Sequence, residues 1–221
     1  MHRRLPLPFV TGWSALLSCV LVAASCGGGG TKTNVTPGMH GSSGFETDAE
    51  GWTITGDAQA SHVAPDYDGH GGNPDGLISA VDDVTGGVWY FQAPAKYLGD
   101  ASGTYGRYLD FDLKTTAISS PFDTFDVVLV GGGTTLGFDA TPNPAVDAWT
   151  SFHVRLDETA GWRITPEVSE SAFDEFATLS APTAAQMKAV LGAMTQLLIR
   201  GEFQTGSDTG SLDNVRFGAE P

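Results

Sequence analysis

Alternation of period two, cut short repeatedly by turn residues, is the feature that most constrains what this chain can become. Across residues 104–114, Tyr105, Arg107, Leu109, Phe111 and Leu113 share one face, and Tyr108, Asp110, Asp112 and Lys114 the other. That is the pattern of a half-buried strand. It recurs in residues 125–130, 152–156 and 197–203, each bounded by Gly, Pro, Asp or Asn,. With 29 glycines and 12 prolines in 221 residues, and only 17% of them charged, long helices are excluded, and with them bundles and coiled coils,. The 41% hydrophobic fraction suffices for one core,. Many short strands with turn punctuation predict an all-β sandwich.

One or two short helices are expected beside the strands. Thr183 can cap a helix with Gln186 three residues on as its capping-box partner, and Met187, Val190, Leu191 and Met194 then fall on one face,. This helix should cover one end or edge of the sandwich. Residues 171–176 read as a shorter acidic helical turn with Phe173 and Phe176 pointing inward. There is no internal repeat of useful length.

The N-terminus reads as an export signal over residues 1–25. Arg3 and Arg4 precede an apolar stretch that ends in Val22, Ala23, Ala24, Ser25 and Cys26,. This run resembles the lipobox of bacterial lipoproteins, which implies that Cys26 is the lipid attachment site. Ala23 replaces the commoner leucine. Residues 26–43, opening on four glycines, are expected to be a flexible tether, with the folded domain spanning 44–218,. Of the two cysteines, Cys19 leaves with the signal and Cys26 is acylated, so no thiol remains for a disulfide,. The 26 acidic residues against 11 basic ones exclude a nucleic-acid partner and favour cations,.

Residues 88–100, Val-Trp-Tyr-Phe-Gln-Ala-Pro-Ala-Lys-Tyr-Leu-Gly-Asp, followed by Tyr105-Gly106 and an alternating strand, resemble the centre of the laminin B domain, also called laminin IV type A. Residues 194–203 and 211–215 resemble that family's closing strands, and Gly72-Asn73-Pro74-Asp75-Gly76 its entry loop. The EGF-like modules that flank it in animal laminins are missing. The resemblance implies a jelly-roll β-sandwich of the galactose-binding-like kind, related to carbohydrate-binding modules, with no catalytic residues. It also implies a structural calcium ion joining the first strand to the last, with Glu46, Asp48 and Asp213 as candidate ligands. Calcium takes six to eight oxygens at roughly 2.3–2.6 Å, so carboxylates from both termini and main-chain carbonyls would serve.

Other residues carry weaker signals. Trp89, Tyr90 and Phe91 are consecutive and cannot all face one side of a strand, so Trp89 or Tyr90 is a candidate for stacking on a sugar, as is Trp162 at a rim,. Asp66, Asp68, Asp75, Asp82 and Asp83 read as an acidic solvated loop rather than an EF-hand,. Gly131-Gly132-Gly133 reads as a hairpin turn, because no Gly-Lys-Ser/Thr follows,. The histidines lack zinc-site spacing and no nucleophile motif is present. The expected function is a non-catalytic, lipid-anchored module on the bacterial envelope, at the outer membrane or cell surface, binding a glycan or an envelope protein. The alternatives are a polysaccharide hydrolase, betrayed by two carboxylates facing each other across a cleft, and a purely structural envelope protein.

Overall fold

The computed structural model describes residues 38–58, 63–82, 84, 86–166 and 178–221. Two antiparallel sheets pack into a jelly-roll β-sandwich. The first runs β3 (Asp66–Asp68), β4 (Leu77–Val81), β12 (Thr209–Ala219), β6 (Tyr108–Thr115) and β9 (Thr150–Arg155), and β1 (Gly41–Ser43) also pairs with β12. The second runs β10 (Arg163–Thr165), β8 (Thr134–Phe138), β7 (Val127–Gly131), β11 (Met194–Arg200), β5 (Trp89–Gln92) and β2 (Thr53–Gly56). Between them lies one core, to which Leu109, Phe111, Phe152, Leu212 and Phe217 contribute from one side, and Trp89, Phe91, Leu129, Leu197 and Ile199 from the other.

The expected split of β6 is present, with Leu109, Phe111 and Leu113 buried in the core. The strand starts at Tyr108, later than the alternation suggests, because residues 102–104 form a short 3-10 turn. Its partner β12 is longer. One edge of β12 pairs with β4 over residues 209–212 and with β1 over 215–217, while the other edge pairs with β6. Here the sequence reading needs adjustment: Gly41–Ser43, placed in the tether, is a strand. Its composition is polar, yet Ser43 Oγ accepts hydrogen bonds from Trp52 Nε1 and the Tyr97 hydroxyl, each at 2.9 Å, inside the fold. An edge offered by a distant strand is invisible in local composition.

Helix α1 (Ala184–Leu191) carries the expected capping box between Thr183 and Gln186, and buries Met187, Val190 and Leu191. Met194 is not on that face; the chain leaves the helix at Gly192, and Met194 opens β11. The helix lies so close to β7 that a Cβ on Gly131 would sit 2.4 Å from the Val190 carbonyl oxygen. Gly132 and Gly133, at φ 55° and 75°, make the tight β7–β8 hairpin that their sequence predicts,. The helical turn expected at 171–176 lies outside the described residues.

The outer face of the second sheet is covered as well. Val88, Tyr90, Phe125, Val128 and Leu198 form a second apolar cluster there, joined by Phe122, Val130 and Leu179. Among the described residues, this leaves the outer face of the first sheet as the broad exposed surface of strand side chains.

Candidate functional site

A β-bulge organises that surface. Asp213 pairs with Asp112 and Arg216 with Asp110, so β12 spends one residue more than β6 over this interval. Asn214 adopts φ 53°, a left-handed conformation that asparagine tolerates better than most residues,. The extra residue reverses the in-out parity of the strand. Leu212 faces the core before it, and Val215 and Phe217 after it, so Arg216 emerges on the outer face beside Asp110,.

On that face β6 presents Tyr108, Asp110, Asp112 and Lys114, and β9 presents Ser151, His153 and Arg155. Asp110 ties the strands together. One of its carboxylate oxygens pairs with His153 Nδ1, and the other accepts from Arg216 at 3.0 Å. The His153 and Arg216 side chains remain 53% and 57% exposed, so both keep donor capacity for a ligand. Asp112 Oδ2 accepts from Asn73 Nδ2 at 3.0 Å and Asn214 Nδ2 at 2.8 Å. Between these groups runs a trench of about 360 Å³, with Ser151 and Asn214 in its walls.

The His153 ring lies in its wall, and two further rings, Tyr108 and Trp149, lie beyond its opposite ends, since β6 pairs Tyr108 with Arg155 and Leu113 with Thr150. Tyr108 and His153 stack with centroids 3.6 Å apart and planes inclined by 12°. Trp149, just before β9, donates its indole N–H to the Gly71 carbonyl at 3.2 Å and carries the Lys114 ammonium 4.6 Å from its ring centre,. A shallow trench lined by hydroxyl, amide, carboxylate and guanidinium groups, with aromatic rings along the same face, suits a ligand with apolar C–H faces and many hydroxyls.

The aromatics singled out from sequence are elsewhere. Trp89 and Trp162 have no exposed surface and Tyr90 has 2%. Trp89 points into the main core against Phe91, at 4.9 Å between ring centres. Tyr90 points the other way, as alternation requires, but into the second apolar cluster, and burial pushes its hydroxyl up to about 12. Trp162 packs on Phe138 and donates to the Arg155 carbonyl at 2.8 Å. All three are core residues, which corrects their assignment as ligand-facing.

The candidate metal ligands divide. Asp213 is fully buried beneath the 72–76 loop, where it accepts from the Asn73 and Asn214 main-chain N–H groups, both at 2.6 Å. Burial, followed by the charges of Asp112 and Glu46, pushes its carboxyl up to about 6 despite those two donors,. Glu46 therefore lies within electrostatic reach, and the Phe45 carbonyl sits against Gly76, where a Cβ would come within 1.8 Å of it. Asp48 instead turns its carboxylate to the Glu50 main-chain N–H at 2.7 Å. Among the described residues, no three His, Cys, Asp or Glu side chains are gathered to hold a metal.

Comparison with known proteins decides the family. The laminin B (domain IV) model matches residues 90–219, well over half of the chain. This chain belongs to the laminin B family. The laminin-like protein lam-2 of Caenorhabditis elegans is 30% identical over 145 residues, which is 63% of this chain and 8% of that protein. This laminin B domain thus spans a small part of its curated relative's length. The L4b domain of human laminin alpha-2 superposes with a TM-score of 0.50 at 12% identity, over 64% of this chain and 81% of that one, and shares the fold. A family 11 carbohydrate-binding module of Clostridium thermocellum, solved with a β-1,3-1,4-mixed-linked tetrasaccharide, gives a TM-score of 0.40 at 12% identity, over 76% and 96% of the two chains.

Proposed function

We propose that this laminin B domain is a non-catalytic module, held to the bacterial envelope by a lipid on Cys26, that binds a glycan on the outer face of its first sheet. The observation that carries the reading is the hydrogen-bonding trench with the His153 ring in its wall, flanked along the sheet by the rings of Tyr108 and Trp149. Sugar rings offer C–H faces for the aromatics and hydroxyls for Asp110, Asn214 and Arg216. Probing an array of bacterial, plant and animal glycans with the purified chain tests this, with a defined set of polysaccharides expected to bind and an array without binders overturning it.

A hydrolase is the poorer fit. The two carboxylates that line the trench, Asp110 and Asp112, sit at alternate positions of one strand rather than across a cleft, and donors from neighbouring side chains engage both,. No turnover of any bound polysaccharide is expected.

Cys26→Ser is expected to release the protein from membranes, since acyl chains provide hydrophobic attachment that serine does not. Cell fractionation with labelled fatty acid reads this. A mutant that still pellets with membranes, or a wild type that takes up no label, contradicts the anchor.

Calcium at Asp213 is the second element of the proposal. A fully buried carboxyl pressed by two further carboxylates, with only N–H dipoles to balance it, fits a site that takes a cation, and the Glu46 carboxylate with nearby main-chain oxygens would complete the ligand set,. Because the ion binds only the folded state, a hundredfold excess over its Kd adds about 2.7 kcal/mol. Thermal melts should rise by several degrees with calcium over chelator, and Asp213→Ala should remove this site's share. Identical wild-type melts with calcium and chelator contradict it.

A further inference from the structure

A second group of acids lies where β4, β6 and β11 end and β12 begins. Asp82, Glu202 and Asp208 are 1%, 5% and 3% exposed. The chain brings them together by pairing. The Asp82 N–H donates to the Asp208 carbonyl at 2.9 Å, while Asp208 Oδ2 accepts from Thr115 Oγ1 at 3.1 Å and from the Phe203 N–H at 3.3 Å. Two oxygens in this group, Glu202 Oε2 and Asp208 Oδ1, are buried without any hydrogen-bond partner.

The charge of Arg200 acts on both, but its guanidinium gives neither of these oxygens a hydrogen bond. Arg200 is wholly buried, but its guanidinium donates to Asp126 Oδ1 at 3.2 Å, to the Phe122 carbonyl at 2.8 Å and to the Glu202 main-chain carbonyl. One guanidinium is therefore shared among three buried carboxyls, Asp126, Glu202 and Asp208. Burial first, and then the charges of Asp82 and Asp208, push Glu202 up to about 8. Burial also pushes Asp208 up to about 6, with Asp82 adding to it. Buried carboxylate oxygens without donors are strongly unfavourable unless they coordinate a cation or are protonated.

We infer that Glu202 and Asp208 ligate a calcium ion that bridges the two sheets at this end of the sandwich. Glu202 follows β11 of the second sheet, and Asp208 precedes β12 of the first. Two carboxylates supply the anionic ligands, Asp82 adds a third negative charge, and neutral oxygens of the surrounding chain fill the remaining positions. Calcium suits such a set because it accepts six to eight oxygens in flexible geometry, whereas magnesium demands a near-ideal octahedron. The site is separate from Asp213 and does not depend on the glycan reading.

The test is calorimetric titration of calcium into the full chain, stripped with chelator, in an Asp213→Asn background that silences the other candidate. The inference predicts one bound calcium, weakened at least tenfold by Glu202→Gln and by Asp208→Asn. Magnesium alone should bind at least tenfold more weakly. No calcium bound by the folded Asp213→Asn protein overturns it. So does unchanged calcium affinity in a folded Glu202→Gln or Asp208→Asn variant. Thermal melts supply a second readout, since calcium should raise the melting temperature of Asp213→Asn but not that of the same protein carrying Glu202→Gln. If the variants fail to fold, the stoichiometry and melt of Asp213→Asn still decide; if that one also fails, the wild type does, where two calcium ions support the site, none overturns it, and a single ion supports it if it shifts the Phe203 amide resonance and overturns it if it shifts that of Asn73 instead.

Discussion

Arg200→Met is expected to destabilise the domain by about 3–5 kcal/mol, enough to lower its melting temperature by roughly 10 °C. Its guanidinium lies between the rings of Phe122 and Phe203, 4.6 Å from each, and has no exposed surface. Methionine preserves much of the packing volume, so the loss reads the charge and its hydrogen bonds rather than a cavity. Removal leaves Asp126, itself 2% exposed, with only the Ala140 N–H at 2.6 Å among these donors, and orphans the Phe122 and Glu202 carbonyls. The double variant Arg200→Met/Asp126→Leu should recover part of the loss, because deleting both charges removes the unpaired one. Chemical denaturation of the four proteins gives the cycle. A single-variant loss below about 1 kcal/mol would mean that water reaches Asp126 and that the network is not sealed.

Tyr108→Ala and Trp149→Ala are each expected to weaken glycan binding at least tenfold, about 1.4 kcal/mol, while leaving the melting temperature within a degree or two. The two rings flank the trench along the sheet and neither belongs to the main core. Their removal takes away stacking surface but little packing. Arg216→Ala should act in the same direction through lost hydrogen bonds to sugar hydroxyls, since its side chain is 57% exposed and it holds Asp110 by one bond. Calorimetry with the best array ligand separates the cases. Full affinity in both aromatic variants would place the ligand on another surface.

Much of the frame was legible in local sequence. The capping box at Thr183, the glycine hairpin after β7 and the alternation of β6 each depend on residues within one or two turns of chain, and the structure shows all three. The candidate site was half legible. Tyr108, Asp110, Asp112 and Lys114 separate to one face on alternation alone, but nothing local distinguishes a binding face from a merely solvated one. The other half depends on long-range register. His153 and Arg216 reach Asp110 only because β9 and β12 flank β6, and Arg216 points outward only because Asn214 inserts a bulge. For the same reason the conspicuous Trp89-Tyr90-Phe91 run misleads. Alternation does send Tyr90 away from the main core, yet Phe125 and Leu198 wait on that side. Arg200 reads as a polar end to an apolar strand until Asp126, far away in sequence, is brought beside it by the pairing of β7 with β11.

The indole N–H resonances of the tryptophans test the central claim most directly, because the fold places Trp149 alone among the described tryptophans outside the core, with Trp52, Trp89 and Trp162 buried. Titrating the array's strongest glycan into nitrogen-15-labelled protein should shift the Trp149 indole and the backbone amides of Tyr108, His153 and Arg216, leaving the three buried indoles in place. A saturable shift confined to other surfaces, or no shift with any array glycan, would contradict the assignment of this face as the binding site.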